Sequence, residues 1–154
     1  MITLKNVLVP TDFSEPSAVA LKYGLALAEA FGARLHLLHA VEDPFTYPWA
    51  AEAYVNPDEI VARHRQEASA EMRKLVTDEQ RTKYDVQFVV DIARPFLSVV
   101  DYAKKHDVDL IVMGTHGRGA IAHLLIGSVA ENVVRKAPCP VLTVRSQEHE
   151  FVVP

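Results

Sequence analysis

Short unbroken apolar runs alternate along this chain with longer stretches in which apolar and polar residues mix at helical spacing. Val7-Leu8-Val9-Pro10 is the first such run, and it predicts a strand buried on both faces. Ser14 then offers an N-cap, Pro16 suits a first turn, and Val19, Leu21, Tyr23, Leu25, Ala26 and Ala28 carry a helix to Phe31. Gly32 ends it as a C-terminal stop. Residues 34–41 form the second apolar run, closed by Glu42-Asp43-Pro44. Residues 45–55, with Tyr47, Pro48, Trp49 and Tyr54, have no period and read as a loop or lid.

Asn56-Pro57-Asp58-Glu59 reads as a helix start, with a cap, a first-position proline and an acid behind it. A long charged helix is expected from there to about Thr82. Residues 86–90 predict the third strand, Pro95 opens a helix to about His106, and residues 110–113 predict the fourth strand. A glycine-rich segment and a fourth long helix ending near Lys136 precede a fifth strand at residues 140–144. Five strands separated by four helices imply an α/β fold: an open five-stranded parallel sheet with helices on both faces. No tandem repeat, low-complexity tract or linker interrupts it, so one domain is expected over residues 1–146, with a tail at 147–154. Sheets of this kind bind ligands outside the carboxyl ends of their strands, where strand order reverses. The residues to inspect are those just after each strand: 10–14, 40–43, 91–94, and Gly114 onward.

Composition narrows the function classes. The chain has 154 residues, 49% apolar and 23% charged, which suits one well-packed domain and excludes disorder. A net charge of −4 argues against a broad nucleic-acid footprint, and no basic stripe with interleaved aromatics occurs. No apolar run approaches the roughly 20 residues that span a bilayer, and the first residues lack a basic leader pattern. The single cysteine, Cys139, permits no intrachain disulfide and fits a reducing compartment, so the cytoplasm is expected. Flanked by two prolines, it reads as a buried or half-buried small residue. The seven histidines form no metal signature, and His36 and His39 lie at odd spacing in one strand, pointing to opposite faces.

The chemistry concentrates after the fourth strand. Gly114-Thr115-His116-Gly117-Arg118-Gly119 follows it directly, and Gly127-Ser128-Val129 comes eight residues later. Glycines let backbone N–H groups approach a ligand closely, and a helix N-terminus carries free donors and a positive dipole end. An anion such as a phosphate suits that arrangement. Ser128-x-x-Glu131 reads as a capping box, and the Ser128 hydroxyl can cap the helix or meet an oxygen of the ligand. A glycine-rich turn that serves only the chain path fits the same residues. Neither a Walker A loop nor a Gly-x-Gly-x-x-Gly fingerprint in the first strand-helix turn is present.

These pieces together resemble the universal stress protein family. The likeness rests on residues 7–14, on Asp109-Leu110-Ile111-Val112-Met113-Gly114-Thr115-His116-Gly117, on Gly127-Ser128-Val129-Ala130-Glu131, and on Ala137-Pro138-Cys139-Pro140-Val141. The spacing Gly114-x2-Gly117-x9-Gly127-Ser128 matches the nucleotide motif of the ATP-binding members in full. The resemblance implies a Rossmann-like sheet of the adenine nucleotide alpha hydrolase-like type, with ATP and Mg2+ as ligands. It implies that Pro10, Thr11 and Asp12 line the pocket, with Asp12 beside the metal. Val41 would touch adenine, and Met113 and Gly114 would flank the nucleoside. His116, Gly117 and Arg118 would face ribose and phosphates, with Gly127, Ser128 and Val129 on the phosphates. Position alone also fits Asp12 as a helix cap or ion-pair partner.

The sequence departs from the family at Ile92-Ala93-Arg94-Pro95, where many members carry Gly-x-Pro. Ala93 adds a methyl group there and Arg94 a charge. Residues 45–55 follow no family pattern, and Trp49 reads as a shield for the core rather than a ligand platform. The last strand reads as a sheet edge, and the family commonly pairs it with a second copy, so a homodimer through residues 141–145 is expected, with a higher oligomer open. Phe151-Val152-Val153 would extend that contact or fray. The expected function is a nucleotide-dependent regulatory module of stress physiology, with at most slow ATP hydrolysis and no catalytic residue assigned. A nucleotide-free interaction module of the same fold is the alternative. A nucleotidyl-transfer enzyme is disfavoured, because neither His-x-Gly-His nor Ser-Gly-Gly-x-Asp-Ser occurs.

Overall fold

A computed structural model of the chain describes residues 1–42, 56–115 and 126–145. In chain order the elements are β1 (Asn6–Pro10), α1 (Glu15–Phe31), β2 (Arg34–Val41), α2 (Pro57–Lys74), α3 (Asp78–Lys83), β3 (Gln87–Ile92), α4 (Pro95–Lys105), β4 (Leu110–Gly114), α5 (Ser128–Lys136) and β5 (Val141–Val144). The strands form one all-parallel sheet in the order β3-β2-β1-β4-β5. The chain therefore winds outward from β1 to β3, then crosses back to β4 on the other side of β1. Val7 pairs with Leu35 on one side and with Leu110 on the other, so β1 is central and the strand order reverses between β1 and β4. β5 is an edge strand, as its place in the sequence suggests.

Alternate side chains divide the core between the two faces. Val7, Val9, Leu35, Leu37, Val112 and Val144 pack with Ala20, Leu21 and Ala28 of α1 and Met72 of α2. Leu8, Leu38, Ile111 and Met113 pack with Val99 and Ala103 of α4 and Ala130 and Val133 of α5. The runs that looked continuously apolar are thus buried on both sides: Val7, Leu8 and Val9 are all 0% exposed.

The helix ends follow their local chemistry. Ser14 caps α1 by accepting from the Ser17 amide, and Gly32 closes it with φ 64°, a conformation that glycine adopts without strain. Asn56 caps α2 by accepting from the Asp58 amide.

The structure departs from the sequence pattern at four points. The long charged helix to about Thr82 is two helices, which makes five among the described residues. Val76 is buried, and the chain turns there so that Thr77 caps α3. The signal was present as Thr77-x-x-Gln80, a capping box formed in both directions at 3.1 and 2.9 Å. The third strand runs later than expected, over Gln87–Ile92, because its ladder with β2 continues to Val41↔Ile92. The fourth strand extends to Gly114. Finally, Ser128 and Glu131 do not form a capping box. Gly127 occupies the cap position with no side-chain cap bond, and Glu131 instead pairs with Arg135 at 2.9 Å.

Candidate functional site

The mouth of the sheet is built around Thr11. Its N–H donates to the Leu38 carbonyl at 2.8 Å, which prolongs the β1–β2 ladder beyond Pro10. Its hydroxyl accepts from the Phe13 amide at 3.1 Å and lies 3.2 Å from the Ser17 hydroxyl. Its carbonyl accepts from Nδ1 of His39 at 2.7 Å. Thr11 is 6% exposed, so these bonds satisfy a buried polar residue. The chain then turns sharply: Phe13 has φ 63°, uncommon for a residue with a side chain.

Asp12 rides on that turn. One of its carboxylate oxygens, Oδ1, accepts from the Ser14 amide at 3.1 Å and from the Ser14 hydroxyl. Ser14, not Asp12, is the helix cap. The carboxylate is thereby oriented at the carboxyl end of β1, half-buried, beside the N-terminus of α1.

Across the reversal point, β4 ends on Gly114 and Thr115. A Cβ on Gly114 would stand 2.8 Å from Cβ of Pro16 and 3.0 Å from its carbonyl carbon, so the first turn of α1 rests directly on this glycine. One glycine of the motif thus serves chain packing. Met113 points the other way, 5% exposed, into the core beneath α4 and α5. The Thr115 amide donates to Val144 at 3.0 Å, and its carbonyl accepts from the Gly127 amide at 2.6 Å. That bond brings Gly127 back to the tip of β4. α5 starts at once, with Ser128 exposed and Val129 half-buried. A glycine at the cap position supplies no side chain to the first-turn amide donors of α5.

Pro10, Thr11, Asp12, Gly114, Gly127, Ser128 and Val129 therefore gather where the strand order reverses. Val41 stands at the end of β2, farther along the same mouth, where its carbonyl accepts from the Ala93 amide at 3.1 Å. Arg94 is exposed at the cap position of α4. Asp91, on that same rim, accepts from the buried Ser98 hydroxyl at 2.8 Å, a pair that the sequence reading did not single out. His116, Gly117 and Arg118 lie outside the described residues, as do residues 43–55 with Trp49, His123 and the tail with Phe151-Val152-Val153.

Among the described residues no three His, Cys, Asp or Glu side chains cluster to hold a metal. One oriented carboxylate is the protein ligand a hydrated Mg2+ uses when phosphate oxygens supply the rest, and backbone amides suit those oxygens. A phosphate chain with Mg2+ fits these residues. His36 and His39 do face opposite sides, His36 toward Tyr102 of α4 and His39 toward Thr11 and Phe13. Cys139 is half-buried, and burial pushes its thiol pKa up, which suits an inert residue. No helix among the described residues is long and apolar enough to cross a membrane.

Known proteins resemble this chain over nearly its full length. It is 33% identical to the universal stress protein MJ0531 of Methanocaldococcus jannaschii over 147 residues, covering 95% of this chain and 85% of the relative. It is 36% identical to a universal stress protein of Thermus aquaticus over 144 residues, covering 92% and 98%. Among solved structures, MJ0577 of M. jannaschii superposes with a TM-score of 0.76 at 29% identity, covering 97% of this chain and all of the other. A universal stress protein in complex with cAMP superposes with a TM-score of 0.66 at 26% identity, covering 95% and 100%. Residues 3–145 match the Universal stress protein family, and with the Rossmann-like sheet and the glycines at its mouth, the chain belongs to that family.

Proposed function

We propose that this protein binds ATP with Mg2+ and acts as a nucleotide-dependent regulatory module. The observation that supports the reading is that the turn holding Asp12 follows β1, while Gly127 at the start of α5 is bonded to the tip of β4, the neighbouring strand across the reversal point. Negative phosphates suit the helix end, and a carboxylate facing them needs a cation between. Pro10, Thr11, Val41 and Gly114 would bound the nucleoside, and Met113 would do so through its backbone alone, since its side chain lies in the core. Gly127, Ser128 and Val129, with His116, Gly117 and Arg118, would receive the phosphates, and Asp12 would hold the metal through its waters. The absence of a capping box strengthens the assignment of Ser128, since its hydroxyl has no cap bond to give up. The cAMP complex of a relative supports an adenine nucleotide as the ligand class.

Bound Mg2+ would supply charge neutralisation along the phosphates. Asp12 is committed to Ser14 and to the metal, which leaves it a poor general base, so hydrolysis is at most slow. The protein would act as a homodimer joined along the β5 edge, where Leu142 is 37% exposed. The lone cysteine supports a reducing compartment, the cytoplasm.

The second reading is a nucleotide-free interaction module. The contact of Gly114 with Pro16 favours it, because that glycine has a packing role without any ligand. Nucleotide analysis of the purified, denatured protein separates the two. Near-stoichiometric ATP or AMP, and a rise in Tm with MgATP, are expected. An empty protein with no thermal shift supports the second reading instead.

A further inference from the structure

We propose that His39 is a positioning residue of the nucleotide site, tying the end of β2 to the turn that presents Asp12; the proposal rests on the ATP reading above. Its Nδ1 lies 2.7 Å from the Thr11 carbonyl oxygen. A carbonyl only accepts, so Nδ1 carries the proton and Nε2 does not hold the bond. The imidazole also lies against the Phe13 ring, with centroids 4.5 Å apart and planes tilted by 43°. His39 thus grips both neighbours of Asp12.

The grip has something to oppose. Phe13 sits at φ 63°, a conformation that persists only where its surroundings over-determine it. Thr11 is held at its N–H by Leu38, at its hydroxyl by the Phe13 amide, and at its carbonyl by His39. The partners in the first two bonds are the Leu38 carbonyl and the Phe13 amide, backbone groups that a side-chain change in β2 leaves in place. The His39 bond is the one that a substitution in β2 removes, and its loss frees the peptide plane between Thr11 and Asp12. The Asp12 carboxylate then no longer has one orientation relative to the phosphates. His39 also shares its face of β2 with Val41, two residues on, so base contact and metal contact are joined through one strand.

The test compares His39→Leu, His39→Asn and His39→Gln by calorimetric titration with MgATP, alongside an imidazole 15N spectrum of the wild type. The amide of Asn reaches the Nδ1 position, whereas that of Gln reaches the Nε2 position. H39L should bind MgATP about tenfold more weakly, the worth of one oriented hydrogen bond, and H39N should recover most of that loss. H39Q should not. The signal that H39N removes from the 15N spectrum should belong to an Nδ1-protonated ring. Should H39L not fold, the contrast between Asn and Gln decides. A wild type that binds MgATP, with H39L equally tight at a lower Tm, makes His39 a packing residue and overturns the proposal alone. A His39 ring protonated only on Nε2 also overturns it. A wild type that takes up no nucleotide overturns the ATP reading and this extension together.

Discussion

The Gly127 amide donates to the Thr115 carbonyl at 2.6 Å, and so the start of α5 is tied to the tip of β4. Eleven intervening positions separate the two in sequence, yet one hydrogen bond brings the helix N-terminus back to the tip of β4, the strand beside β1. Gly127 has φ −74° and ψ 155°, an extended conformation open to any residue. The glycine is therefore not demanded by the backbone. Gly127→Glu should leave the unliganded Tm within a few degrees of wild type, while placing a carboxylate where phosphates are assigned. The MgATP-dependent rise in Tm should vanish. If MgATP still protects this variant, the phosphates are not bound at α5.

Gly114 behaves in the opposite way. A methyl group there meets Pro16 at 2.8 Å, and the neighbouring contacts are backbone atoms of the same residue, which cannot swing aside. Gly114→Ala should cost about 1–3 kcal/mol by urea unfolding, the usual range for overpacking. An unchanged midpoint would mean that α1 does not rest on β4 as described.

The Ser14 amide and hydroxyl both donate to Oδ1 of Asp12 and orient its carboxylate. Asp12→Ala should weaken MgATP binding more than binding of ATP in EDTA, with a difference of about tenfold. Equal losses in both conditions would remove Asp12 from the metal.

A pH effect is expected at the other end of the sheet. His36 is 4% exposed, with Nδ1 at 2.9 Å from the Tyr102 hydroxyl and Nε2 at 3.2 Å from the Asn6 amide oxygen. Burial first, then the positive charges of Arg34 and His106, push its pKa down to about 4. Asp85 opposes the shift weakly. In the unfolded chain the ring titrates near its ordinary value of about 6.5. Stability from the neutral ring is thus fully present above pH 6.5 and is lost as pH falls toward 4. The loss reaches up to about 3 kcal/mol. His36→Gln should flatten the fall in urea-unfolding stability between pH 6.5 and 4.5 relative to wild type. A parallel fall in both proteins would place the acid sensitivity elsewhere.

At the β5 edge, Leu142 is the exposed apolar side chain of a four-residue strand. Leu142→Arg puts a charge on that edge; if the wild type sediments as the proposed dimer, the variant should sediment as a monomer with Tm little changed. A dimer that persists at micromolar concentration would locate the interface on another surface.

Much of this was legible in the residues. Val7-Leu8-Val9 and Leu110-Ile111-Val112-Met113 declare buried strands because a strand covered on both faces needs no polar alternation. Ser14, Gly32, Asn56 and Pro95 mark helix ends through local chemistry alone. The division of residues 57–83 into two helices was also written, in Thr77-x-x-Gln80, but the surrounding charged pattern continues smoothly across it. The glycine spacing carried the family, and the alternation of strands and helices carried the fold class.

Other features depend on distances between segments far apart in the chain. Whether Ser128 or Gly127 caps α5 depends on where the Thr115 carbonyl stands, and that depends on β4 and β5 pairing. Gly114 is a packing glycine only because Pro16, almost a hundred residues earlier, lies upon it. His39 in isolation is a strand histidine; the fold sets it against Thr11 and Phe13. Local propensity and hydrophobic period act over a few residues, so the elements and their order can be read along the chain. Hydrogen bonds and close approaches at the sheet mouth join residues that meet only once the core has formed, so no local stretch of the chain announces them.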